Sequence, residues 1–131
     1  MTKTNKIIMF SIIAVTFLFV IIMIFTPQGL NYSDFSDQHI LEVEDQLQMP
    51  EDDYYVYYYS TNCGHCSDIK EEVLETFYNV EETVIYFVEG YDFHPDSGVQ
   101  GTPTLIRVEN NQKTELYEGP SGILPMLDTL K

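Results

Sequence analysis

The two cysteines of the chain stand three apart, as Cys63-Gly64-His65-Cys66. A disulfide that only stabilises a fold gains most by closing a long loop, so a bridge over two intervening residues constrains almost nothing in the unfolded chain. The spacing therefore predicts chemistry, a reversible dithiol–disulfide pair. Gly64 leaves room for a substrate chain to approach. His65, when protonated, favours the thiolate and makes the pair more oxidising. The remaining soft donors, His39 and His94, have no ligand spacing relative to the pair, so no metal and no cofactor is expected. A hydrolytic Cys63–His94 dyad lacks an oxyanion-hole motif, and His94 reads as a loop residue. Glu71-Glu72 and Glu81-Glu82 read as solvated faces rather than paired catalytic carboxylates.

Position sharpens the roles of the two thiols. Tyr54 to Tyr59 is a short aromatic run with Val56 inside it, and reads as a buried strand whose alternate tyrosines pack on opposite faces. Ser60-Thr61-Asn62 then leads into a helix predicted from about Cys63 to Tyr78, with Ile69, Val73, Leu74 and Phe77 on one face and Asp68, Lys70, Glu71, Glu72 and Glu75 on the other. A thiol at a helix start meets free N–H groups and the positive end of the dipole, which favour its thiolate. Cys63 is thus the expected attacking group. Cys66, a turn inward, is the resolving thiol.

Further elements complete an α/β pattern. Asp37 is expected to cap a helix from Gln38 to about Gln48, which Pro50-Glu51-Asp52-Asp53 breaks. Thr83–Glu89 reads as a strand, Gly90–Gln100 as a loop, and Thr104–Glu109 with Lys113–Glu118 as a hairpin around Asn110-Asn111-Gln112. Gly119-Pro120 opens a last helix with Pro125 inside it. A strand–helix–strand unit makes a right-handed parallel crossover, and the added hairpin and last helix give a four-stranded mixed sheet flanked by helices on both faces.

Ile7 to Phe25 is apolar for 19 residues except for Ser11 and Thr16. As a helix it spans about 28 Å, close to the hydrocarbon thickness of a bilayer. A cleaved signal peptide fits less well, because Phe25-Thr26-Pro27-Gln28-Gly29 offers no small-x-small site. The expected organisation is a cytoplasmic N-terminus (1–6), a transmembrane signal-anchor helix (7–25), a linker (26–37) and a folded domain (38–131). Lys3 and Lys6 keep the N-terminus inside, so the domain and its cysteines face an oxidising compartment outside the cytoplasmic membrane. All 21 acidic residues but only four of the six basic ones lie beyond Thr26, a formal charge of −17 for that part. Such a surface repels phosphate backbones, and nucleic acid is not an expected partner.

Cys-Gly-His-Cys resembles the active-site sequence of protein disulfide isomerase domains. Val99-Gln100-Gly101-Thr102-Pro103-Thr104-Leu105 is similar to the cis-proline segment of the thioredoxin superfamily, and Gly119 before the last helix fits the same pattern. The resemblance, over residues 38–131, implies a thioredoxin-like fold with a cis Thr102–Pro103 bond beside Cys63 and a substrate chain bound along the Thr102 backbone. It also implies a thiol–disulfide oxidoreductase acting on protein or peptide thiols and disulfides, with a redox partner protein. Two departures stand out. Asn62 occupies the usual place of Trp before the first cysteine. Tyr57 occupies that of a buried carboxylate, and with a pKa near 10 it is a poor base at neutral pH. These departures keep an alternative open: a non-enzymatic accessory module that binds an exported peptide or membrane partner.

Overall fold

The computed structural model describes residues 2–26 and 28–131. Helix α1 (Lys3–Phe25) has no buried residue, and it is long and apolar enough to cross a membrane. Four strands form one sheet: β1 (Asp53–Tyr59), β2 (Ile85–Glu89), β3 (Thr104–Glu109) and β4 (Gln112–Glu118), in the order β2-β1-β3-β4. β1 runs parallel to β2 and antiparallel to β3, with Tyr57 between Phe87 and Leu105. Helix α2 (Gly64–Asn79) makes the crossover from β1 to β2, and α3 (Gly119–Leu130) follows β4. The mixed sheet flanked by helices is the expected one.

A strand covered on both faces reads as a continuous apolar run rather than an alternating one, and β1 is buried from Tyr54 to Tyr59. Tyr55, Tyr57 and Tyr59 pack under α2 and α3 with Ile69, Leu74, Phe77, Ile123 and Leu127. Tyr54, Val56 and Tyr58 point the other way, into a second core with Leu47, Val88, Val99, Ile106 and Val108. On that second face the covering pieces are 3-10 turns and loops, not the helix layer expected there, because α2 and α3 both pack on the first face. Buried Gln46 ties them together: its Oε1 accepts from Tyr58 Oη (3.1 Å) and the His94 N–H (2.8 Å), while its Nε2 donates to the Asp92 carbonyl (2.7 Å).

The helix expected over 38–48 is not formed. Two 3-10 helices, Tyr32–Gln38 and Val43–Leu47, flank an extended step in which the Ile40 N–H donates to the Phe87 carbonyl (2.9 Å) and His39 bridges to β2. Capping the sheet edge outweighs the weak helical pattern of this stretch, since an open edge leaves backbone groups without partners. The cap also moves: the Asn31 N–H donates to Asp34 Oδ2 at 2.7 Å, in place of the expected Asp37. Part of the stretch read as linker is therefore packed, with Phe35 buried and Leu30 and Tyr32 against the α2–α3 core. Pro125 is tolerated inside α3 because its ring is exposed and the carbonyl it leaves unbonded, on Ser121, lies at an exposed residue.

Burial raises the hydroxyl pKa of Tyr54, Tyr55, Tyr57, Tyr58 and Tyr59 above the ordinary value, and burial with the Glu51 carboxylate pushes Tyr86 up to about 12. Unfolded tyrosines lose their protons near pH 10 while these folded ones keep them, so the unfolded state binds fewer protons there. Stability is then intact below about pH 10 and falls as the pH rises beyond it. An alkaline ultraviolet titration should show the buried tyrosinates appearing in one cooperative step that coincides with loss of circular dichroism. Smooth ionisation of every tyrosine at one ordinary midpoint, with the fold intact, would contradict this packing.

Candidate active site

The strand-to-helix junction builds the cysteine site. β1 ends at Tyr59, the Ser60 carbonyl accepts the Cys63 N–H at 3.2 Å, and Ser60 Oγ accepts the Asn62 N–H at 3.3 Å. This turn places Cys63 as the N-cap of α2, where its sulfur accepts the Cys66 N–H at 3.1 Å. Cys63 and Cys66 form a disulfide, with Cα atoms 5.2 Å apart. Cys63 is half-buried and Cys66 is 1 % exposed, so an incoming group reaches Cys63 first.

Residues far along the chain complete the site. The Thr102–Pro103 bond is cis, and the Thr102 carbonyl lies 3.5 Å from Cys63 Sγ. The loop is pinned from both sides: the Gly119 N–H donates to the Pro103 carbonyl (2.9 Å), and Thr104 Oγ1 donates to the Gly101 carbonyl (2.7 Å). Gly119 sits at φ 65°, a left-handed conformation that glycine adopts without a Cβ penalty. His65 is turned to solvent, with Nδ1 3.7 Å from the Asp68 carboxylate.

A cavity of about 170 Å³ opens beside the disulfide, lined by Tyr32, Ser60, Thr61, Ser67 and Lys70 together with both cysteines. A cleft of about 460 Å³ between the ends of α2 and α3 is larger, but it is lined by Glu72, Glu75, Glu81 and Glu82 and holds no thiol. Chemistry, not size, marks the site. Lys70 donates to Asn31 Oδ1 at 2.6 Å and lies 5.3 Å from the Tyr32 ring centroid. Arg107 and Lys131, by contrast, are paired with carboxylates. An ammonium held by a neutral amide and an aromatic face keeps its charge available to the sulfurs, where it favours a thiolate. Sequence reasoning missed Tyr32 and Lys70. Lys70 stands four residues after Cys66 and so on the same helix face, a signal that was there to read; Tyr32 gave none.

Residues 37–130 match the family model described as Thioredoxin. The chain belongs to the thioredoxin family. No sequence among curated proteins matches it. Among solved structures, a thioredoxin of Plasmodium falciparum in its oxidised form superposes with a TM-score of 0.57 at 15% identity, covering 70% of this chain and 95% of that one. A thioredoxin from Halobacterium salinarum gives 0.55 at 20% identity over 70% and 85% of the two chains. One from Malassezia sympodialis gives 0.53 at 20% identity over 80% and 94%. These likenesses show the fold. Together with the Cys63–Cys66 pair, family membership supports thiol–disulfide oxidoreductase chemistry in general.

Within this thioredoxin-family chain Tyr57 is fully buried in the core that also contains Cys66. Its hydroxyl and that of Tyr32 are both buried and close enough to shift each other's ionisation, and among the described residues neither makes a hydrogen bond of ordinary geometry. Burial, with Tyr32 adding to it, pushes the Tyr57 pKa far above the usual tyrosine range, so Tyr57 is no base at neutral pH. Asn62 is exposed.

Proposed function

We propose that this chain is a membrane-anchored thiol–disulfide oxidoreductase whose domain, residues 38–131, works outside the cytoplasmic membrane on protein or peptide thiols and disulfides. Cys63 attacks, Cys66 resolves, and the Thr102 backbone receives the substrate chain. The carrying observation is the half-buried Cys63 sulfur at the N-terminus of α2, bonded to a buried Cys66 and 3.5 Å from the Thr102 carbonyl.

Reduction of a substrate disulfide runs in two steps. The Cys63 thiolate attacks one substrate sulfur, forming a mixed disulfide and expelling the other sulfur as a thiolate. Cys66 loses its proton and attacks Cys63 Sγ, which closes the protein disulfide and releases the second substrate sulfur; a redox partner then reduces the pair again. Oxidation is the same sequence reversed. His65, exposed beside Asp68, favours the Cys63 thiolate when it is protonated. Lys3 and Lys6, in the first turn of α1 ahead of its apolar run, support the orientation by the positive-inside rule.

The test equilibrates the full-length protein, in detergent micelles, with glutathione buffers of graded potential and traps its thiols by alkylation. One two-electron transition is expected, between the values of about −270 mV for thioredoxin and about −180 mV for disulfide isomerase. Absence of any redox transition of the pair, together with no thiol-dependent reduction of insulin, would overturn the assignment. Labelling of the reduced cysteines in intact cells by a membrane-impermeant maleimide checks the side of the membrane.

A further inference from the structure

The segment that follows the membrane helix docks on the redox site itself. Helix α1 ends at Phe25, and the Thr26 N–H still bonds back to the Ile22 carbonyl. Only six residues later, Tyr32 stacks on Tyr59 with ring centroids 3.7 Å apart and planes 14° from parallel. Its neighbour Asn31 accepts from Lys70 of α2 at 2.6 Å, and Tyr32 lines the same cavity as Cys63 and Cys66.

We propose that this docking holds the disulfide at the membrane surface, and that the partner it fits is a thiol or disulfide on a membrane-proximal segment of an integral membrane protein. The inference rests on the preceding reading that α1 spans the bilayer and that the pair is redox-active.

Chain length sets the limit. The six residue-to-residue steps from Thr26 to Tyr32 reach at most about 22 Å when fully extended. The cavity adds a few ångströms, so the disulfide lies within about 30 Å of the end of the membrane helix. A domain of this size is roughly 35 Å across, so the leash is shorter than the body it holds. It is also attached at the rim of the active site rather than at the far pole. Had 26–37 been a free linker, it would reach about 40 Å to a point unconnected with the site. The charge of −17 beyond Thr26 repels anionic headgroups and keeps the gap between site and bilayer open to a protein partner. A thiol carried on a long stalk or on a large soluble domain meets a site facing away from it.

The test reconstitutes the full-length protein in phosphatidylcholine vesicles, its Cys63–Cys66 pair first reduced with dithiothreitol and the reductant then removed, with synthetic transmembrane peptides as probes. Each carries one mixed disulfide to a fluorescent thiol at the end of an oligoproline spacer of either five or 25 residues, about 15 or 78 Å long. The near probe should release its fluorophore at least about tenfold faster than the far one, because effective concentration collapses when a tether cannot span the distance. A second variant inserts 40 Gly/Ser residues between Gln28 and Gly29. It should shrink that ratio to less than about threefold while its exchange with a soluble disulfide stays unchanged. Equal rates on both probes for the native chain would overturn the inference. Loss of exchange with the soluble disulfide would instead overturn the redox reading, and failure of the protein to float with the vesicles the membrane reading. Either removes the basis of this one, and the separate readouts tell the cases apart.

Discussion

Cys66→Ser should convert a fleeting attack into a covalent trap, while Cys63→Ser should reduce exchange to the uncatalysed background. The asymmetry follows from the site. Cys63 is half-buried at the start of α2, with the Cys66 N–H directed at its sulfur and Lys70 in the same cavity. Each of these favours a thiolate at Cys63. Cys66, at 1 % exposure, is out of reach of a folded substrate and acts only on a disulfide already formed at Cys63. Remove the Cys66 sulfur and the mixed disulfide has no internal route to resolution. Non-reducing gels of membranes from cells expressing Cys66→Ser should show new high-mass bands that collapse with a reductant. The Cys63→Ser and double variants should show none. Bands from Cys63→Ser but not from Cys66→Ser would reverse the assigned roles. Full biological function in the double variant would favour the non-enzymatic alternative.

The second large effect concerns Tyr57, and here ring and hydroxyl act in opposite directions. Tyr57 is fully buried, with its ring stacked near that of Tyr59 and edge-on to Phe87. Tyr57→Ala should cost about 3–5 kcal/mol, the usual penalty for deleting a buried aromatic ring. Against a total stability of about 5–15 kcal/mol, that brings the domain close to unfolding. Among the described residues the hydroxyl has no hydrogen-bond partner of ordinary geometry, and a buried hydroxyl so placed costs about 1–3 kcal/mol. Tyr57→Phe should therefore leave stability unchanged or raise it by about 1 kcal/mol. Since burial keeps the Tyr57 hydroxyl protonated at neutral pH, Tyr57→Phe should also leave the exchange rate within about twofold of the parent. Urea unfolding curves and the insulin reduction assay on both variants check the two halves. A tenfold loss of rate in Tyr57→Phe, with stability retained, would show that the hydroxyl handles the Cys66 proton after all.

Much of this protein is written locally. Cys63-Gly64-His65-Cys66 after an aromatic strand and before an amphipathic stretch specifies a disulfide at a helix start, because strand and helix patterns and their junction depend on neighbouring residues. The apolar run from Ile7 to Phe25 specifies helix α1 in the same way, from neighbouring residues alone. The hairpin is legible too: Asn110 and Asn111 adopt φ values of 50° and 60°, a conformation asparagine tolerates better than most residues. Residues 30–47 were misread for a physical reason. Short 3-10 turns carry no 3.6-residue period, and the extended step at His39–Ile40 exists only because β2 offers a carbonyl to it. Tertiary structure alone brings Tyr32 onto Tyr59, Asn31 to Lys70 and Thr102 to Cys63, pairs separated by 27 to 39 residues. Such contacts are set by packing after the intervening loops have closed, and no pattern among near neighbours encodes them. The sequence by itself determined which two residues pair as the disulfide. The fold decided what surrounds them and how near the end of α1 they stand.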